Sequence, residues 1–202
     1  MKIGRWLMVP GLLAAAAAGP AAAQDQGLYL GGSVGYSQFK DSCKQLPVPC
    51  EGEDTGVRAF GGYQFNRYVA VEVGFANLGK ATGSGALDPV TFPPGGQGSF
   101  QREIKEAWDL TAVFGFPVTD RLSGLVRGGM YRARTTLNVQ QTGFPDTHDA
   151  GTNSGFSYGA GAEFRLGLLG LRAEWQRYEN VGVASTGEDD IDVLSVGLII
   201  RF

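Results

Sequence analysis

The chain has 202 residues, 43% of them hydrophobic and 11% aromatic, with 32 glycines and a formal net charge of −3 at pH 7. That acidic balance leaves no electrostatic footprint for nucleic acid, and the length suits one domain. Beyond the N-terminal region no apolar run approaches the roughly 20 residues that a membrane-spanning helix needs.

The chain opens as an export signal. Lys2 and Arg5 give a positive start, Trp6 to Ala18 is apolar, and Ala21 to Ala23 offers a small-residue cleavage site before Gln24. This is the three-part layout of a secretory signal peptide. Residues 1–23 are then expected to be removed and 24–202 to form the mature domain, with 15 basic against 20 acidic residues and a net charge of −5.

Period-two alternation predicts eight strands. The first runs Gly27–Phe39 and leads into "CKQLPVPC", which holds Cys43 and Cys50, the chain's two cysteines. An even count in an exported chain points to a Cys43–Cys50 disulfide that stiffens the loop. The second strand, Gly56–Phe65, sets Val57, Ala59, Gly61, Tyr63 and Phe65 against Arg58, Phe60, Gly62 and Gln64. The third, Tyr68–Lys80, sets Val69, Val71, Val73 and Phe75 against Ala70, Glu72 and Gly74. The fourth, Phe100–Pro117, opposes Trp108, Leu110, Ala112, Phe114 and Phe116 to Asp109, Thr111 and Gly115. The fifth, Arg121–Val139, fits the pattern only with Leu125 turned inward beside Arg127. The sixth, Ser154–Leu166, opposes Phe156, Tyr158, Ala160, Ala162 and Phe164 to glycines, Glu163 and Arg165. The seventh, Gly170–Val181, opposes Leu171, Ala173 and Trp175 to Arg172, Glu174 and Gln176, and the eighth is Asp190–Phe202.

Connections alternate in length. Asn66-Arg67, Val118 to Arg121 and Gly167 to Gly170 are tight; the stretches between the other strands are long, glycine-rich and polar. That asymmetry, an even strand number and aromatic residues near both ends of the apolar face are the marks of an outer-membrane barrel. A soluble barrel would turn the same apolar face inward, but it leaves the loop asymmetry and the terminal Phe202 without a reason. The fold class is therefore all-β, an eight-stranded antiparallel up-and-down transmembrane barrel.

Lipid then fixes the facing. An Arg on the lipid face costs about 2–4 kcal/mol near the midplane, and five of them would exceed a domain's stability of roughly 5–15 kcal/mol. Arg58, Arg127, Arg165, Arg172 and Arg201 are expected inside, with Glu72, Asp109, Glu163 and Glu174. Across the tight turns, Asp109 is expected to lie across from Arg127, and Glu163 to meet Arg172 or Glu174.

"TGVRAFGGYQFNRYVAVEVGFANLGK" (Thr55 to Lys80), "GFPVTDRLSGLVRGGMYRAR" (Gly115 to Arg134) and the terminal "VGLIIRF" resemble the OmpA-like eight-stranded outer-membrane barrels. The resemblance covers essentially the mature chain and implies integral placement in a Gram-negative outer membrane, among lipid and lipopolysaccharide. It also implies that Leu198, Ile200 and Phe202 present an assembly signal to the outer-membrane assembly machinery. Many members carry a periplasmic peptidoglycan-binding domain; with the sequence ending at Phe202, the expectation is the barrel domain alone. The fifth strand reads as shorter than the family pattern.

No sequence feature points to catalysis, a cofactor or a metal. The single histidine, His148, lies in "FPDTHDAGTNS" and does not match the His and Ser arrangement of lipid A deacylase barrels. "GEDDID", Gly187 to Asp192, lacks calcium-loop spacing and reads as a solvated loop. The expectation is a monomer that is not an enzyme. Its role is structural or interactive: membrane integrity, adhesion, or contact with an envelope or surface protein through the outer loops. A narrow solute passage is the second reading and a lipid A-modifying enzyme the third.

Overall fold

The structure, a computed structural model, describes residues 26–40, 49–87 and 96–202. Among the described residues there are strands and no helix: β1 (Gly27–Phe39), β2 (Cys50–Glu51), β3 (Glu53–Asn66), β4 (Val69–Asn77), β5 (Gly79–Leu87), β6 (Gly96–Pro117), β7 (Leu122–Gln141), β8 (Thr147–Leu166), β9 (Leu169–Val183) and β10 (Gly187–Arg201). β4 and β5 form one stave, bent at Leu78–Gly79, and both pair with β6. Setting β2 aside, each stave pairs antiparallel with the next along the chain, and β10 pairs with β1 to close the ring. Eight staves result, and β2 is a short ladder on the outer edge of β5.

The tight turns carry their own chemistry. The Asn66 Oδ1 accepts from the backbone N–H groups of Tyr68 and Val69, and the Thr119 Oγ1 accepts from those of Arg121 and Leu122. Both are side chains that complete a turn from within. At the β8–β9 turn Gly167 adopts φ +63°, a conformation that glycine reaches without steric cost.

Facing follows the alternation. Leu28, Leu30, Val57, Val73, Leu110, Met130, Phe156, Leu194, Val196 and Leu198 project outward and are exposed, as a lipid-contacting wall must be. Tyr63, Phe65, Phe116, Phe164 and Phe202 ring the turn end, and Phe75, Trp108, Trp175 and Phe156 ring the other. Edge-on ring pairs tie neighbours together within these girdles: Phe75–Trp108 at 4.9 Å and Tyr158–Trp175 at 5.9 Å between centroids. Leu125 and Arg127 both point inward, as the sequence requires.

Three expectations need correction. Much of the long connections is strand: β5 occupies "GKATGSGAL", β6 starts at Gly96, β8 at Thr147 and β10 at Gly187. Glycine is a weak strand former alone, but a neighbouring strand supplies the ladder bonds, and here each extension has one. β7 is 20 residues long and not shortened. "GEDDID" lies in β10, with Asp189 buried and ion-paired to Arg102 at 3.6 Å. The interior also holds an apolar region. Phe39, Leu78, Ile104, Tyr131, Tyr178, Val181 and Ile191 form an apolar plug toward the outer end. Cys43 lies outside the described residues, and with it the expected Cys43–Cys50 bridge; residues 1–25 lie outside them too.

A barrel strand crosses a bilayer in about 9–11 residues, whereas β6, β7 and β8 have 22, 20 and 20. These staves therefore continue well beyond the bilayer as a projecting sheet. Val126→Arg, on the lipid face of β7, is expected to lower the unfolding free energy by about 2–4 kcal/mol in liposomes. Thr152→Arg, exposed on β8 above the outer girdle, should change it by under about 0.5 kcal/mol. Urea titrations of the two variants check this; equal costs would contradict the facing.

Candidate functional site

The lumen of an eight-stranded barrel is only wide enough for side chains to fill it, so its wall must alternate bulk with glycine. Gly74 on β4 shows why: a Cβ there would sit 2.6 Å from both the Arg58 Nη2 and the Asp109 Oδ2. At Gly62 on β3 a Cβ would lie 2.4 Å from the Tyr29 ring. These glycines make room for the groups that fill the centre.

Those groups form one connected ion-pair network. Arg58 grips Asp109 with two donors, Nε to Oδ2 at 3.0 Å and Nη2 to Oδ1 at 2.7 Å. Arg127 donates to the Glu174 Oε1 at 2.8 Å and to the Thr111 Oγ1 at 2.9 Å, and it lies 3.4 Å from both Asp109 and Glu72. Arg172 joins Glu72 to Glu163, and Arg201 closes onto Glu163. Glu72 is fully buried and is the hub: Arg58, Arg127 and Arg172 converge on it, and the Tyr29 hydroxyl donates to it at 2.8 Å.

Four guanidiniums thus face four carboxylates inside the wall. Arg165, the ninth residue expected here, sits half-exposed at the turn-side mouth, 3.7 Å from Glu163. Aromatic faces complete the packing. The guanidinium carbon of Arg58 lies 4.6 Å from the centre of the Phe60 ring, and that of Arg201 lies 5.7 Å from Tyr29, within the reach of cation–π attraction. Tyr29, Phe60, Ala70, Val113, Leu125 and Ile199 form the apolar cluster on the turn side.

Register explains which sequence-derived pairs meet. Glu163 is the cross-strand partner of Arg172 and contacts it, not Glu174. Asp109 stands opposite Tyr131, not Arg127, and the Arg127 side chain reaches it diagonally. Sequence reasoning missed the neutral partners Tyr29, Thr111 and Tyr178, the last of which donates to Asp109 at 3.5 Å. For Tyr29 a signal existed: it lies between outward Leu28 and Leu30. The Arg102–Asp189 pair was also missed. A bulge between Ile104 and Glu106 reverses the parity of β6 and turns Arg102 inward.

The network leaves little space. Of the cavities in and around it, one of ≈ 40 Å³ lies at the turn-side mouth and one of ≈ 10 Å³ is lined by Glu174, Gln176, Tyr178 and Ser195, each room for a water or a few. At the rim above the outer girdle, two hydrogen bonds from Arg177 hold the carboxyl of Asp192 below its usual range. His148 is exposed and contacts Asn138, while Asp146 accepts from Gln140. Among the described residues no nucleophile is hydrogen-bonded to either, and no group of His, Cys, Asp and Glu is arranged to hold a metal ion.

The comparisons with known proteins agree with this geometry. A family model described as the OmpA-like transmembrane domain matches residues 23–202. Outer membrane protein A of Klebsiella pneumoniae is 33% identical over 194 residues, covering 90% of this chain and 53% of that protein. The Salmonella typhi protein of the same name is 34% identical over 188 residues, covering 90% and 50%. The chain thus spans about half the length of these relatives. In fold it is similar to Neisserial surface protein A (TM-score 0.57, 15% identity, 87% of this chain and 97% of that one). It is also similar to the N-terminal β-barrel domain of Pseudomonas aeruginosa OprF (TM-score 0.51, 13% identity, 88% and 100%).

Removing one partner from a buried ion-pair network costs about 3–5 kcal/mol. Asp109→Asn, which leaves Arg58 and Arg127 short of charge, is expected to lower stability by that order in urea unfolding. Gly74→Val should do the same by wedging Arg58 from Asp109. A loss under about 0.5 kcal/mol for both would show that the network is not holding the barrel.

Proposed function

The chain belongs to the OmpA-like transmembrane-domain family of outer-membrane β-barrels, and from that premise we propose a structural and surface-interaction role for it. The barrel anchors in lipid and lipopolysaccharide, supports membrane integrity, and offers its projecting sheet to a partner or a surface. The observation that carries this reading is the filled lumen: a neutral ion-pair network with an apolar plug above it and a second apolar cluster on its turn side. A passage for ions needs continuous polar space, and the small separate cavities argue for a plug. Catalysis needs a nucleophile beside a base, and the surroundings of His148 favour a non-enzymatic role.

Two further roles belong to the same proposal. Residues 1–23 act as a cleaved export signal. Leu198, Ile200 and Phe202 act as the assembly signal. Their support is a common outward, exposed face at the end of the last stave, with the Phe202 N–H donating to the Leu28 carbonyl at 3.0 Å across the closing seam.

The test is ion flux through the refolded, purified protein in a planar bilayer. Silence across voltage and pH is expected. Steady conductance that changes when Asp109 or Arg127 is neutralised would overturn the plug and establish the pore instead.

A further inference from the structure

The outer wall of β7 changes character in one step. Leu122, Val126 and Met130 face lipid, and the next two outward positions are Arg132 and Arg134, both exposed. Arg132 is level with the outer girdle: its cross-strand partners are Trp108 on β6 and Ser154 on β8. Its guanidinium therefore stands at the depth where hydrocarbon gives way to headgroups. Arg134 is one step further out, opposite Glu106 and Thr152.

Among the described residues this pair has no counter-charge. Three other outward cations at the rim have a carboxylate within the protein: Arg177 and Lys40 share Asp192, at 2.6 and 3.0 Å, and Lys105 has Glu103 at 3.2 Å. Among the described residues neither Arg132 nor Arg134 has an ion pair, and Glu106 makes none with Arg134 although it is the cross-strand neighbour. Two guanidiniums unpaired beside lipid are a local exception in a chain of net negative charge. Below them a groove of ≈ 420 Å³ runs down the wall, lined by Val73, Trp108, Leu110, Met130 and Phe156, with Arg132 and Ser154 at its upper end.

We propose that this is a binding site for a phosphorylated glycolipid of the outer leaflet, the lipid A part of lipopolysaccharide. Arg132 and Arg134 take a phosphate, and an acyl chain lies in the groove beneath. The match is one of chemistry. A planar guanidinium forms paired hydrogen bonds to phosphate oxygens, and an acyl chain requires an apolar trough continuous with the phosphate site. A zwitterionic phospholipid brings its own cation and gains less from two unpaired arginines. The proposal rests on the outer-membrane placement of the barrel and not on its having a partner protein or a closed lumen.

The experiment places the folded protein in phosphatidylcholine nanodiscs doped with lipid A and counts retained lipid by native mass spectrometry. Wild type is expected to retain lipid A, and Arg132→Gln with Arg134→Gln to lose at least about tenfold in retention, as befits two charge-assisted contacts. Arg177→Gln, a rim cation already paired to Asp192, should retain as wild type does. Arg132→Lys with Arg134→Lys, which keeps the charge and the fold but not the planar fork, should fall between. Three results would overturn the site: retention unchanged in the double Gln variant, equal retention of dephosphorylated lipid A, or phosphatidylglycerol held as well as lipid A. The last would reduce the pair to general attraction for anionic lipid. A conducting lumen, if found, would leave this result untouched.

Discussion

A charge inside an eight-stranded barrel in lipid has nowhere to go. The lumen has room for only a few waters, the wall beyond is hydrocarbon, and desolvating a single ion costs several kcal/mol. The chain meets this constraint by bringing four guanidiniums and four carboxylates into mutual contact around the buried Glu72. Much else in the wall follows from that centre. Inward glycines at Gly62 and Gly74 exist because Tyr29 and Arg58 occupy the space a Cβ would need. The inward rings on the turn side, Tyr29 and Phe60, lie against guanidiniums, where their faces add to the neutralisation. A buried network of this kind is weak evidence for stability, since apolar filling of equal volume could match it. Its clearer consequence is specificity: a one-residue slip of any stave would turn its inward charges onto lipid.

The outer half obeys a different constraint. Beyond the bilayer, water solvates the outer face and the lumen no longer needs charge to stay in register with lipid. There the interior becomes apolar around Ile104, Tyr131, Tyr178 and Ile191, much as in a soluble protein. The staves β6, β7 and β8 keep their pairing well past the membrane. A paired extension is stiffer than a loop, so whatever it meets encounters a preformed surface. At the boundary between the two regimes sit the girdle and the rim charges. These are paired at Asp192 with Arg177 and unpaired at Arg132 and Arg134.

The barrel was largely legible in the sequence because lipid is an unforgiving solvent. Alternation in β3, β4, β6 and β8 leaves one assignment of faces that keeps Arg58, Glu72, Asp109 and Glu163 out of hydrocarbon, and the structure has that assignment. Legibility ended where the membrane did. Glycine and serine in "ATGSGAL" read as loop because nothing local shows that β6 will pair with them. The bulge at Lys105 leaves no mark in the pattern, yet it decides that Arg102 points inward to Asp189; "GEDDID" is strand because β9 pairs with it, which nothing local shows either. The membership of the ionic site could be read from facing alone. Its wiring could not, because the stagger between staves sets which partners meet: Asp109 stands across from Tyr131, and only the length of Arg127 restores the contact.

The most direct test of a filled, water-poor lumen is chemical access to its wall. Ser157 is buried at the inner face of β8 and Thr152, five residues away, is exposed on the outer face above the girdle. Each would be replaced by Cys in a protein whose own cysteines are changed to Ser, and each variant treated in liposomes with a small charged thiol reagent. The expected result is full reaction at Thr152→Cys with Ser157→Cys still unmodified. Comparable rates at the two positions would mean that solvent fills the lumen, and the ion-pair network would then be the lining of a channel.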